Sequence, residues 1–451
     1  MNLYSLKEKM FGPVRFCAPK RAQLQNYTRI IMQKSKNYLK MWVILMPVFV
    51  IATISFNWFM NPYGIYESPK IEGVNKLKPE FYTHLRMAKA WAVYKQKPDG
   101  IILGTSRSEY GLNPNHLGWD SQLVYNLALF GCNLYEALRY FQHAHAIEPQ
   151  KQVILAIDFL MFDIFRPNLF DFEESRLFVD PEGRVNPQLS SEKLLTLISI
   201  DTFFGSINTL KKQKIVLSEM HLPNGQLHWN APSKGIRQGG GHRRSFQSTE
   251  NNAINYGWFH PLRNPYRFTN PKTGQSTLDY FRTFLNIAYR DNVDLRILTS
   301  PSHARLWEAL YIVGLWPQFE QWKREIVRIN EEVAKHSQKP PFPLWDFTGY
   351  NSLTTETVPP LDDAKTEMKW YWESSHYKNA LGELVLDRVF EYQHPERVVP
   401  DDFGVLLTSR NIDEHLKMIR ASQQRYRESN PVDVAEIEKM AKETLARRQS
   451  R

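Results

Sequence analysis

Four short apolar runs punctuate the chain: 100–106 (GIILGTS), 123–129 (LVYNLAL), 152–158 (QVILAID) and 294–300 (DLRILTS). Continuous runs of Val, Ile and Leu of this length, bounded by turn residues, predict strands buried on both faces of a parallel sheet. A shorter segment, 343–347 (PLWDF), predicts a fifth. Between and after them the apolar positions recur with helical spacing at 133–147, 277–290, 304–336 and 377–392, the third interrupted near Pro317. Asn133 and Glu136 stand at capping-box spacing. Strand–helix alternation of this kind predicts an open, doubly wound α/β sheet. Residues 163–276 break the rhythm. They carry one helical pattern, about 191–214, among Gly, Asn, Pro and Arg, and are expected to form an insertion over the site face. From 401 to 451 the chain reads as a charged helical tail, interrupted at Asn430-Pro431, and there are no internal repeats.

A different pattern precedes all of this. No charged residue occurs from 41 to 66, and 41–60 reads MWVILMPVFVIATISFNWFM. Twenty helical residues rise about 30 Å, the thickness of a bilayer core. Trp42 and Trp58 fall near the two interfaces, and Asn61-Pro62 stops the helix. A cleaved signal peptide fits less well, because the apolar run is too long and no small-x-small site follows it. The 451 residues carry a net charge of +10, but residues 1–40 hold nine Lys/Arg against Glu8 alone. This asymmetry makes 1–40 a cytoplasmic leader and places 61–400 outside, in the periplasm if the cell is Gram-negative, held on the inner membrane by one transmembrane helix. The body is left near neutral, which excludes a nucleic-acid partner. An apolar content of 42% excludes a disordered chain. Two cysteines, Cys17 and Cys132, expected on opposite sides of the membrane, exclude a disulfide framework and a thiolate zinc site.

Candidate chemistry sits at strand ends, where open α/β sheets bind ligands. Ser106 ends the first run, in Gly104-Thr105-Ser106-Arg107. A hydroxyl there can attack a carbonyl while neighbouring N–H groups hold the oxyanion; the ordinary alternative is a turn or cap residue. In Glu373-Ser374-Ser375-His376, one turn brings a carboxylate to an imidazole and leaves the other ring nitrogen free for a serine proton; alternatively, this stretch merely opens a helix. Asn126 to Gly131 closes the second run with a glycine that allows close backbone approach. His303 follows the fourth run as an alternative base or a pocket residue behind a Ser302 cap. Asp158 and Asp346 are alternative orienting carboxylates. Trp229, Phe246, Tyr256, Trp258, Phe259, Tyr266 and Phe268 could offer faces to sugar rings or form a local core under the insertion.

In order, Gly-Thr-Ser-Arg, Asn-x-x-x-x-Gly, a third strand and Glu-x-x-His before a last helix, the chain resembles the SGNH (GDSL-like) hydrolase superfamily. More narrowly it resembles its membrane-anchored branch, the DltD protein of teichoic-acid D-alanylation and the alginate O-acetylation proteins. Asn61 to Tyr66 (NPYGIY), just after the span, is also similar to such proteins. The resemblance implies a flavodoxin-like fold in which Ser106 is the nucleophile, His376 the base and Gly131, with the Ser106 N–H, the oxyanion hole. Glu373 stands where the family has Asp, and Ala156-Ile157-Asp158 where it has Gly-x-Asn-Asp. Arg107, Asn126, Asp158 and His303 are the expected pocket. The implied activity is a serine acyltransferase or esterase acting on an extracytoplasmic cell-envelope polysaccharide. Its acyl donor would come from a membrane-bound acyl exporter, and it would need no metal or organic cofactor. The alternative is a non-catalytic scaffold of an envelope acylation or export assembly. A lipase reading is disfavoured by the polar insertion.

Overall fold

In a computed structural model the five apolar runs become β1 (Gly100–Leu103), β2 (Val124–Asn126), β3 (Gln152–Ile157), β4 (Asp294–Thr299) and β5 (Leu344–Asp346). The structure describes residues 21–186, 189–213, 221–228, 233–257 and 265–449. The basic residues up to and including Lys20, Cys17, and the aromatics Trp229, Trp258 and Phe259 lie outside the described residues. The strands run parallel in the order β2-β1-β3-β4-β5, one of the common orders of doubly wound sheets. A sixth strand, β6 (Val405–Leu406), pairs antiparallel with β5, Trp345 opposite Leu406. The sheet is therefore mixed, not wholly parallel as expected. Two residues are too few to show a period in the sequence.

The helices are α1 (Arg21–Met60), α2 (Leu85–Gln96), α3 (Ser106–Gly111), α4 (Leu134–Ile147), α5 (Leu189–Ile198), α6 (Ile200–Lys211) and α7 (Ser233–Gln238). They continue with α8 (His242–Asn252), α9 (Thr277–Arg290), α10 (Ala304–Ile312), α11 (Trp316–His336), α12 (Asn379–Val389), α13 (Ile412–Ser429) and α14 (Pro431–Gln449). Strand side chains alternate between two cores. Val153, Leu155 and Ile157 of β3 join the core with α2, α4, α9 and α11; Ile154 and Ala156 join the other with α12. Both faces are covered, so the strands read as unbroken apolar runs. The expected break near Pro317 separates α10 from α11, where Gly314 takes a positive φ of 82°.

Two expectations about domain layout change. The segment from 401 is no appendage. Leu407, Ile412, Leu416, Ile419, Ile437 and Ala441 enter the main core, and α14 packs on α10. Its charge belongs to the outer faces of amphipathic helices, which composition alone cannot distinguish from a tail. The insertion does not lie over the site as a whole either. Its first half, α5 and α6, seats on the end of α1, where Asn57 Nδ2 donates to the Leu197 carbonyl at 2.8 Å and Ser206 Oγ to Asn57 Oδ1 at 2.9 Å. Its later parts approach the strand ends: α7 and α8, residues around Tyr266, and 221–228, where Asn126 N at the end of β2 donates to the Asn224 carbonyl at 2.8 Å. There Phe246 and Tyr266 are core residues, Tyr266 stacking on Phe159 at 4.1 Å.

α1 is long and apolar enough to cross a membrane, and its span residues up to Ile51 are exposed.

Candidate active site

Ser106 is positioned by the turn leaving β1. The Thr105 side chain caps α3 by accepting from Arg107 N at 3.4 Å, so Ser106 is the first helical residue. Its N–H then has no acceptor within the helix. From the other side, the segment before α12 forms a tight loop. Glu373 Oε2 accepts from Ser375 N at 2.8 Å and Oε1 from His376 N at 3.0 Å. The loop is tied down where Trp372 N donates to His376 O at 3.0 Å and His303 N to Ser374 O at 3.0 Å.

These two segments meet. Ser106 Oγ lies 2.7 Å from His376 Nε2, and His376 Nδ1 is hydrogen-bonded to Glu373 Oε1. With Nδ1–H donating to the carboxylate, Nε2 is the acceptor for the serine hydroxyl. Burial opposes charge on Glu373, but the neighbouring imidazole, the Ser375 N–H and the Thr249 side chain outweigh it and hold its pKa below the usual value. The Tyr110 ring tilts over His376 at 4.8 Å.

Around this pair the expected pocket residues divide. Arg107 reaches across both segments, Nε to Ser375 Oγ at 3.1 Å and Nη1 to Asp158 Oδ1 at 2.8 Å. Asp158 also accepts from Thr105 Oγ1, so its carboxylate braces the Ser106 turn. Asn126 is not a pocket group. It is fully buried, donating to the carbonyls of Ser108 and Leu112 at 2.9 and 3.0 Å while accepting from Ala128 N at 3.1 Å. His303 is neither base nor pocket lining. It, and not Ser302, caps α10, accepting from Arg305 N at 3.2 Å, and its Nε2 faces the Glu356 carbonyl at 2.7 Å. Asp346 is held by Lys323, by His415 at 2.6 Å and by Thr299 Oγ1 at 2.5 Å. That leaves Glu373 as the carboxylate on the His376 ring.

Gly131 adopts a φ of 64°, which a side chain would resist. Its carbonyl accepts from Arg166 Nε and Nη2 at 3.2 and 3.1 Å. Sequence reading missed Arg166. Among the described residues no carboxylate forms an ion pair with it, and burial and then Arg107 push its pKa down. The only sequence signal was a lone arginine among the apolar residues that follow β3.

What holds the two halves in register is a crossing of α3 and α12. A methyl group on Gly111 would overlap the Tyr377 ring, and one on Gly382 would overlap the Gly111 carbonyl. No family model matches the chain, and no curated protein or solved structure does. The chemistry must therefore be argued from the residues themselves.

Two buried histidines set an acid limit. Burial lowers His143 and His303 to about 4. The unfolded chain, near 6.5, binds those protons first. Their contribution is full above about 6.5 and is lost as pH falls toward about 4, on the order of 3 kcal/mol each. The urea midpoint in detergent should fall steeply from pH 7 to 4.5, and His143→Gln should flatten that slope. An unchanged slope in the variant would contradict the assignment.

Proposed function

We propose that the protein is a membrane-anchored serine acyltransferase or esterase of SGNH type, acting outside the cytoplasm on a cell-envelope polysaccharide. The observation that carries this reading is the Ser106–His376–Glu373 relay, with the serine 2.7 Å from the ring nitrogen opposite the carboxylate. Ser106 Oγ attacks the acyl carbonyl as Nε2 takes its proton. Glu373 stabilises the imidazolium that forms. The N–H groups of Ser106 and Gly131 serve the oxyanion, where the family would add an Asn. His376 then returns the proton to the leaving group, and the acyl-enzyme passes its acyl group to a sugar hydroxyl or to water. Asp158 is spent on Arg107 and Thr105, so the second half of the oxyanion site falls to the Gly131 turn, stiffened by Arg166. The acyl donor is assigned to a membrane-bound acyl exporter, since α1 holds the domain beside the membrane.

The direct test is covalent. A fluorophosphonate probe should label full-length protein at Ser106, fail on Ser106→Ala, and label His376→Ala far more slowly. An unlabelled wild-type protein would overturn the enzyme reading in favour of a non-catalytic scaffold.

A further inference from the structure

The α5–α6 hairpin is built inside out for a soluble domain. Its inward positions are small and polar: Thr202, Gly205, Ser206 and Thr209 are buried. Its outward positions are large and apolar: Leu194, Leu195, Ile198, Ile200 and Phe204, with Ile200 74% and Phe204 60% exposed. Residues 194, 195 and 198 share one helical face, as do 200 and 204. Clustered apolar exposure of this kind marks a contact surface.

The position of the hairpin says what covers it. It seats on the last turns of α1 through the Asn57 bonds already described and through Phe203, whose ring centre lies 5.7 Å from that of Phe56. Asn57 is only about 5 Å along the axis from the end of the span. The hairpin thus packs on the stretch of α1 that crosses the edge of the bilayer. A basic rim flanks it. Lys193 stands over the rings of Trp91 and Tyr66, at 5.0 and 5.8 Å. Lys95 lies among neighbouring charges that include Lys193 and Lys70. An open groove of about 970 Å³ next to the helix exit is lined by Lys70, Lys76, Lys78 and Lys95. An apolar face bordered by ammonium groups suits lipid tails bordered by phosphates.

We propose that the α5–α6 hairpin is a second, monotopic membrane contact. Its apolar face enters the leaflet where α1 exits, and Lys70, Lys95 and Lys193 meet phospholipid headgroups. The proposal rests on α1 spanning the bilayer and is independent of the catalytic reading.

The test uses full-length protein in phosphatidylcholine nanodiscs with phosphatidylglycerol and lipids spin-labelled along the acyl chain. A bimane label is placed at Ile200→Cys, Phe204→Cys, Val50→Cys in the span, or the exposed Met418→Cys on α13, each in a Cys17→Ser background. Quenching at 200 and 204 should exceed that at 418 about fivefold and approach that at 50. Replacing Lys70, Lys95 and Lys193 by Gln should reduce it when phosphatidylglycerol is present. Quenching at 200 and 204 no greater than at 418 would overturn the proposal and leave the face for a protein partner.

Discussion

Ser106→Ala should lower acyl-ester turnover by about 10⁴- to 10⁶-fold at unchanged protein level, and His376→Ala should cost nearly as much. The double variant should be little worse than either single one, because nucleophile and base act as one unit. The reason is geometric. The hydroxyl has its ring nitrogen at 2.7 Å, and among the described residues that nitrogen has no other hydrogen-bond partner. Glu373→Gln should cost on the order of 10³- to 10⁴-fold, since the amide keeps a partner for the ring but loses the charge that favours imidazolium. Steady-state hydrolysis of an activated acyl ester by the purified full-length protein measures all four. A Ser106→Ala variant with wild-type turnover would end the catalytic reading; the determinants would then lie in docking surfaces.

Gly382→Ala should also damage catalysis, though less than loss of the nucleophile, from a position outside the Ser106–His376–Glu373 relay. Its added methyl meets the Gly111 carbonyl, a backbone atom that cannot swing aside as a flexible side chain can. The α3–α12 crossing must open. Overpacking of this kind costs roughly 1–3 kcal/mol. The larger consequence is catalytic: α3 carries Ser106 and α12 follows His376, so a shift of about 1 Å between them can cost 10²-fold. The expected signature is a fall in kcat far steeper than the fall in urea midpoint. Full kcat in a destabilised Gly382→Ala protein would show that the crossing does not set the register.

Strand positions and the order of chemical blocks were legible because both are local. Five runs became strands, and Ser106, Glu373 and His376 converge because parallel strands deliver their carboxyl ends to one edge. What stayed hidden depended on packing across long sequence distances. Asn126 and His303 look like site residues in a strand-end context, yet each is consumed by backbone groups that only the fold brings near. Arg166 has no motif around it. The first half of the insertion looked like a site cover, because nothing in its sequence says that its small polar face would meet Asn57. The closing helices read as a charged tail because their buried stripe is narrow.

That closing segment bears on how the protein is made. Arg305 is wholly buried and binds Glu250 through two hydrogen bonds at 2.8 Å, then Glu436 of α14 at 3.0 Å. Glu436 follows Arg305 by 131 residues. At usual elongation rates it is synthesised roughly 7–26 s later. Through that interval the α10 face awaiting α14 is bare. Glu250, made 55 residues before Arg305, is already present to neutralise the guanidinium. The nascent domain therefore carries a charge partner for this fully buried cation but an uncovered apolar flank. That flank is the surface a chaperone would need to shield until synthesis reaches α14.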